Sequence, residues 1–285
     1  MSSAALDALP NAGAEQDAWA GRKRLVDVGG LEIACVEIAG AEPALVLVHG
    51  FTDTSRSFSL LAPHLAGRRL IMPDLRGHGA SQAGKGFGIT DFADDIAGLV
   101  RRLRLDRPVV VGHSLGAMVA IALAARHDAL VGGLVVMAGT VKPGFSPDHA
   151  LVAGVKALHD PISPADPFYA WWHACRDGVP QPFLAGLAED ASAMPAARWR
   201  AILEEICRAD LSGAARAVRT RTLIIAGGCD PLFGEAHQQA LLRALPEAVL
   251  VRAEACGHNP HWEDPALVAK AVIEAFGGLR SPPDQ

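Results

Sequence analysis

Residues 109–120 read VVVGHSLGAMVA. Val109, Val110 and Val111 are β-branched and suit a buried strand. From Ser114 onward the apolar positions Leu115, Met118, Val119 and Ala122 follow helical spacing. Strand and helix therefore meet with no loop between them. So tight a turn forces its central residue to positive φ and brings the residues on either side close together. Gly112 and Gly116, two positions before and after Ser114, are small enough to allow it. The turn lifts the Ser114 hydroxyl above the carboxyl edge of a sheet and places the Leu115 N–H at a helix start, where amides lack intrahelical acceptors and the dipole favours negative charge. G-x-S-x-G between a valine strand and an apolar helix is the nucleophile-elbow pattern.

Outward from this corner the same alternation repeats. Segments 22–28 and 31–38 read as two strands around Gly29–Gly30. Segments 44–50, 68–74, 107–114, 132–139, 221–228 and 248–254 are short apolar runs suited to strands buried on both faces. Helical patterns lie at 57–66, 90–104, 115–127, 235–245 and 265–276. Strands alternating with helices predict an α/β fold with a mainly parallel sheet and helices on both faces. One gap interrupts the rhythm, between Ala138 and Thr222. It is punctuated by Pro143, Pro147, Pro161, Pro164, Pro167, Pro180, Pro182 and Pro195. A structureless loop of that length is implausible, so 140–212 reads as a helical insertion. The chain has nine Phe, five Trp and one Tyr, and seven of these (Phe145, Phe168, Tyr169, Trp171, Trp172, Phe183 and Trp199) fall in the insertion. The expected organisation is a leader over 1–20, a core over 21–139 plus 213–285, and the insertion over 140–212.

With 285 residues, 50% of them hydrophobic, the chain suffices for one large α/β domain. A net charge of −5 with dispersed basic residues argues against a nucleic-acid partner. Five cysteines, an odd number without C-x-x-C, argue against a disulfide framework or zinc site and favour a reducing, cytoplasmic compartment. No apolar run reaches the roughly 18 residues of a membrane span, and the leader has neither the basic nor the apolar region of a secretory signal. The absence of H-E-x-x-H, a P-loop or a G-x-G-x-x-G after a strand implies no metal or organic cofactor.

A serine hydroxyl needs a base. EACGHNPHWEDP (254–265) follows the last strand and offers His258, in a Gly-His turn, and His261. His258 is the expected base and His261 an exposed or packing residue. The carboxylate that orients the base is expected at Asp230, in LIIAGGCDPLF (223–233). The rival position after LVVMAG has only Gly139 and Thr140. The chain order Ser114, Asp230, His258 fits such an arrangement. An oxyanion hole is expected from the backbone N–H groups of Leu115 and of Phe51, the latter in VHGFTD (48–53). Gly50, His113, Phe145, Trp171, Trp172, Leu232 and Asn259 are the expected substrate contacts. Adjacent tryptophans on a helix point about 100° apart, so one of Trp171 and Trp172 at most faces the site.

HGF (49–51), DLRGHGAS (74–81), GHSLG (112–116), GGCDPL (227–232) and GHNPHWEDP (257–265) together resemble the α/β-hydrolase superfamily. The resemblance implies an eight-stranded, mostly parallel sheet, a helical cap after the sixth strand, and a structural rather than catalytic role for 74–81. Epoxide hydrolases and haloalkane dehalogenases of this superfamily carry aspartate where this chain has Ser114. Cofactor-free haloperoxidases often have Trp and Met where Phe51 and Leu115 stand. The expected activity is hydrolysis of a small to medium, mostly apolar carboxylic ester or lactone. C–C bond hydrolysis of a vinylogous diketone by the same residues, or ligand reception on a hydrolase scaffold, are the alternatives.

Overall fold

In the computed structural model, residues 18–278 are described. In chain order the strands are β1 (Arg24–Val28), β2 (Leu31–Ile38), β3 (Ala41–Val48), β4 (Arg68–Pro73), β5 (Val109–His113), β6 (Gly133–Met137), β7 (Thr222–Gly227) and β8 (Val249–Ala253). They form one eight-stranded sheet in the order β1-β2-β4-β3-β5-β6-β7-β8. β2 pairs antiparallel with β1 and β4, and the other pairings are parallel. The helices are α1 (Ile89–Arg102), α2 (Leu115–Arg126), α3 (Ala150–Ala157), α4 (Pro167–Trp172), α5 (Gln181–Ser192), α6 (Ala196–Arg208), α7 (Ser212–Ala217), α8 (Glu235–Ala244), α9 (Pro260–Glu263) and α10 (Pro265–Phe276).

The apolar runs at the sheet centre divide by strand alternation. Val46, Val48, Val110, Leu134, Val136 and Ile224 face a core shared with α1 and α2. Leu45, Leu47, Val109, Val111, Val135, Met137, Leu223 and Ile225 face a second core, shared with α10 and the segment after β3. α2 is buried at every position from Leu115 to Ala124, which explains why its sequence is apolar all round. α1 is amphipathic, burying Phe92, Ile96 and Leu99.

α3 to α7 all lie between β6 and β7. The segment is tied to the loop after β3. Trp172 Nε1 donates to Thr52 Oγ1 (2.7 Å), and Asp190 accepts from Thr54 Oγ1 (2.7 Å) and Arg56 Nε (2.8 Å).

Two expectations change. The pattern at 57–66 is not one helix. Two 3₁₀ turns, Ser55–Phe58 and Ala62–Leu65, stand there. The N–H groups of Ser57, Ser59, Leu61 and His64 bond the carbonyls three residues back, at Thr54, Arg56, Phe58 and Leu61, and Pro63 has no N–H to give. This tighter pattern replaces the α-helical ladder, with Asp74 Oδ1 and Thr54 Oγ1 taking the Ser55 and Arg56 N–H groups at its start. Of the expected leader, 1–17 lie outside the described residues, but Trp19 belongs to the core. It is buried in the cluster that holds Val36 and Phe58, and its Nε1 donates to Ser55 Oγ (3.2 Å). DLRGHGAS is structural as expected: Asp74 Oδ2 accepts from Lys23 Nζ (2.8 Å) and the Ala80 N–H (3.0 Å), and Ser81 Oγ donates to the Asp74 carbonyl (2.7 Å).

Candidate active site

Ser114 joins β5 directly to α2 with φ 54° and ψ −113°. Such strain costs on the order of 1–3 kcal/mol and persists only where neighbours enforce it. Here the Ser114 N–H is held by the Met137 carbonyl (3.0 Å) and its own carbonyl accepts from Ala117 (3.0 Å) and Met118 (3.2 Å). A Cβ at Gly112 would lie 2.1 Å from the Gly116 carbonyl oxygen, and one at Gly116 would lie 2.0 Å from that of Val48. Both glycines are therefore required by close backbone approach.

The loops after β7 and β8 bring the partners. Ser114 Oγ lies 2.9 Å from His258 Nε2. His258 Nδ1 lies 3.1 and 3.0 Å from the two Asp230 oxygens. Asp230 Oδ1 also accepts the N–H groups of Leu232 (2.8 Å) and Phe233 (3.0 Å), so the turn that presents the carboxylate also fixes it. Burial works against ionisation of Asp230. The adjacent His258 and the three hydrogen-bond donors outweigh it and hold the carboxyl below its ordinary value. With Asp230 accepting at Nδ1, His258 presents the Nε2 lone pair to the Ser114 hydroxyl.

Leu115 is the first residue of α2, so its N–H has no intrahelical acceptor. Phe51 stands opposite, and the peptide carrying its N–H is fixed through Gly50. His49 Nδ1 donates to the Gly50 carbonyl (2.8 Å) while His49 Nε2 accepts from the Leu75 N–H (2.9 Å). Burial holds His49 well below the ordinary histidine value, which keeps the ring neutral with one donor and one acceptor. His78 Nε2 donates to the Phe51 carbonyl (2.6 Å) and pins the next peptide.

Ser114 opens onto two small compartments. The polar one has Gly50, Asp53, His113, His258, Asn259 and Trp262 in its wall. The apolar one is walled by Met118, Phe145, Leu151, Ile206, Leu232 and Phe233 among others. Phe51 and Trp172 line both. Of the expected contacts, Gly50, His113 and Asn259 thus fall on the polar side and Phe145 and Leu232 on the apolar side, with Trp172 between. Trp171 is the exception. It is 42% exposed, lines neither compartment, and packs its ring on Phe168 and Trp172, because one residue of helical rotation turns it outward.

His261 is packed, not exposed. It is fully buried, its ring centroid 4.3 Å from that of His113. Asp53, Ser57 and Trp262 also meet beside the site; of these only Asp53, an acid three residues past His-Gly, carries a signal in the sequence. Among the described residues no group of three or more His, Cys, Asp or Glu is placed to hold a metal ion, and no helix is long and apolar enough to cross a membrane.

The sequence pattern described as the Alpha/beta hydrolase family matches residues 45–271. The chain is 30% identical to a 2-(acetamidomethylene)succinate hydrolase of Mesorhizobium japonicum, over 87% of this chain and 93% of that protein. It is 34% identical to a pimeloyl-[acyl-carrier protein] methyl ester esterase of Aromatoleum aromaticum, over 81% of this chain and 98% of that protein. Among solved structures, the enol-lactonase of Burkholderia xenovorans LB400 shares the fold with a TM-score of 0.74 at 23% identity, covering 89% of this chain and 100% of that one. The eight-stranded sheet, the strained serine between β5 and α2, and a match spanning most of the sequence place this chain in the alpha/beta hydrolase family.

Proposed function

We propose that this hydrolase cleaves a small to medium carboxylic ester or lactone through an acyl-enzyme on Ser114. The observation that carries the reading is the unbroken contact series from Ser114 Oγ through His258 to Asp230, set at the carboxyl edge of the sheet. His258 Nε2 takes the hydroxyl proton as Ser114 attacks the carbonyl carbon. The N–H groups of Phe51 and Leu115 hold the oxyanion, each worth roughly 3–4 kcal/mol in the transition state. The tetrahedral intermediate collapses, and His258 passes the proton to the leaving alkoxide. Water then attacks the acyl-enzyme, giving a proton to His258, and Ser114 is released with the free acid. Asp230 orients the imidazole and stabilises its charged form throughout. The segment between β6 and β7 acts as the cap, since Phe145, Leu151, Trp172 and Ile206 from it line the apolar wall.

Two relatives support the chemistry by what their names record: an esterase acting on a methyl ester and a hydrolase acting on 2-(acetamidomethylene)succinate. The test is hydrolysis of p-nitrophenyl esters with acyl chains of two to twelve carbons, wild type beside Ser114→Ala. Turnover should peak at short or medium chains and fall by several orders of magnitude in the variant. Equal rates in the two proteins would overturn the reading.

A further inference from the structure

Beside the serine lies a second buried polar cluster that the acyl-transfer steps do not use: Asp53, Ser57, His113 and His261. Ser57 Oγ donates to Asp53 Oδ2 (3.0 Å) and accepts from Trp262 Nε1 (3.0 Å). With its one hydrogen committed to Asp53, Ser57 faces His261 Nε2 (2.9 Å) as an acceptor, so His261 carries its proton there. The hydroxyl is then fully used and cannot serve His113.

His113 has one partner. Its Nε2 lies 3.0 Å from the His258 carbonyl oxygen, which only accepts, so Nε2 bears the proton and Nδ1 bears a lone pair. Burial, reinforced by the neighbouring His258, pushes the His113 pKa down to about 3, so the ring is neutral. His113 is 2% exposed, and among the described residues Nδ1 has no hydrogen-bond partner. Asp53 Oδ2, another acceptor, lies 3.9 Å from it. Both atoms border Gly50, where a Cβ would lie 2.9 Å from His113 Nδ1 and 3.1 Å from Asp53 Oδ2. Only glycine leaves the space between them open. Both residues line the polar compartment together with Ser114 and His258. Asp53 Oδ2 already accepts from Ser57, so the unpaired acceptor is His113 Nδ1; with the remaining lone pair of the carboxylate oxygen beside it, it calls for a donor from outside the cluster.

We propose that His113 Nδ1 and Asp53 Oδ2 form a two-acceptor subsite for a hydroxyl or amide N–H of the substrate, close to the scissile carbonyl. The preferred substrates are then hydroxy- or amido-substituted esters, with the hydrocarbon part in the Met118–Leu151–Ile206 compartment. This rests on the serine-hydrolase reading and adds a specificity to it. A site built to receive a donor rejects the analogue that lacks one, because its acceptors are left unpaired.

The test uses isosteric pairs in which hydroxyl replaces methyl: ethyl 3-hydroxybutanoate against ethyl 3-methylbutanoate on the acyl side, and 2-hydroxyethyl acetate against propyl acetate on the alcohol side. Hydrolysis is followed by pH-stat for the wild type, Asp53→Asn and His113→Phe. Asp53→Asn can turn a donor toward His113 Nδ1, and His113→Phe removes the other acceptor. The wild type should favour the hydroxyl member of at least one pair by tenfold or more in kcat/KM. In either variant that ratio should collapse toward one, whatever the absolute rates. The same pairs are titrated calorimetrically into Ser114→Ala, with and without Asp53→Asn, so that the Kd ratio reads the subsite without turnover. A wild-type ratio within twofold of one for both pairs, or one that survives both variants, overturns the subsite. Inactivity of the wild type toward all four esters instead counts against the ester-hydrolase reading, and the Kd ratio then decides the subsite alone.

Discussion

Gly116→Ala tests whether the backbone approach behind the serine matters more for chemistry than for stability. A Cβ at 116 would stand 2.0 Å from the Val48 carbonyl oxygen and 2.6 Å from that of His49. Real Cβ atoms essentially never come within 3.0 Å of such a neighbour, so α2 and the end of β3 must separate by about 1 Å. Both obstructing atoms are backbone, and no side chain can swing aside. Overpacking of this kind costs roughly 1–3 kcal/mol. At about 2–4 °C per kcal/mol for a chain of this size, that lowers Tm by about 2–12 °C. The functional loss should be larger in proportion. Leu115 rides on α2 and Phe51 follows β3, so the same separation pulls the two proposed oxyanion donors apart. A misplacement of 1 Å in a reacting geometry costs about 10²-fold in rate. The assay is kcat for a p-nitrophenyl ester at saturating substrate, alongside calorimetric melting, with the variant held well below its Tm. A variant that folds, melts within 1 °C of wild type and keeps its kcat would refute the reasoning, because the approach of α2 to β3 would then not set the hole.

Asp230→Asn should leave the fold intact and lower kcat/KM by about 10⁴-fold, measured on the same ester, because an amide N–H facing His258 Nδ1 favours the tautomer that cannot take the serine proton. In the wild type the lowered Asp230 pKa contributes stability that is present above the ordinary carboxylate value and is lost as pH falls through the still lower folded value. Asp53 has the opposite sign. Burial raises its pKa from 3.8 to about 6, against the Ser57 hydrogen bond and the nearby His258, with Asp190 adding to the rise. The folded state then holds a proton that the unfolded chain has released, so Asp53 erodes stability by on the order of 3 kcal/mol as pH rises from about 4 to 6 and nothing further above that. Melting of Asp53→Asn beside wild type should show the variant gaining relative stability across that window, and parallel curves would contradict it.

The local pattern was sufficient for the strand–helix corner at Ser114 and the strand ends beside it. A valine run ending in Gly112, a helix starting at Leu115, and a serine between them define a strained corner, because only one backbone path connects strand to helix without a loop. The positions of Asp230 and His258 followed from strand ends, since residues just past parallel strands share one edge of the sheet. Side-chain direction was less accessible. Trp171 and Trp172 are equivalent in composition, and only the docking of α4 against Thr52 decides that Trp172 enters the site and Trp171 faces outward. The 57–66 segment kept its helical spacing, yet its N–H groups bond carbonyls three residues back, as Ser57 does to Thr54, and Asp74 holds the Ser55 N–H at the start of the turn. His261, polar and next to an acidic turn, gave no sign of lying fully buried against His113, because that contact depends on how the loop after β8 folds back over β5. The sequence by itself determined the succession of strands, most of the helices between them and the corner serine, since these depend on periodicity and backbone sterics between near neighbours. Tertiary structure alone decided which aromatics wall the site and that Asp53 and His113 meet beside it, since those contacts join segments whose spacing along the chain carries no information about their distance in space.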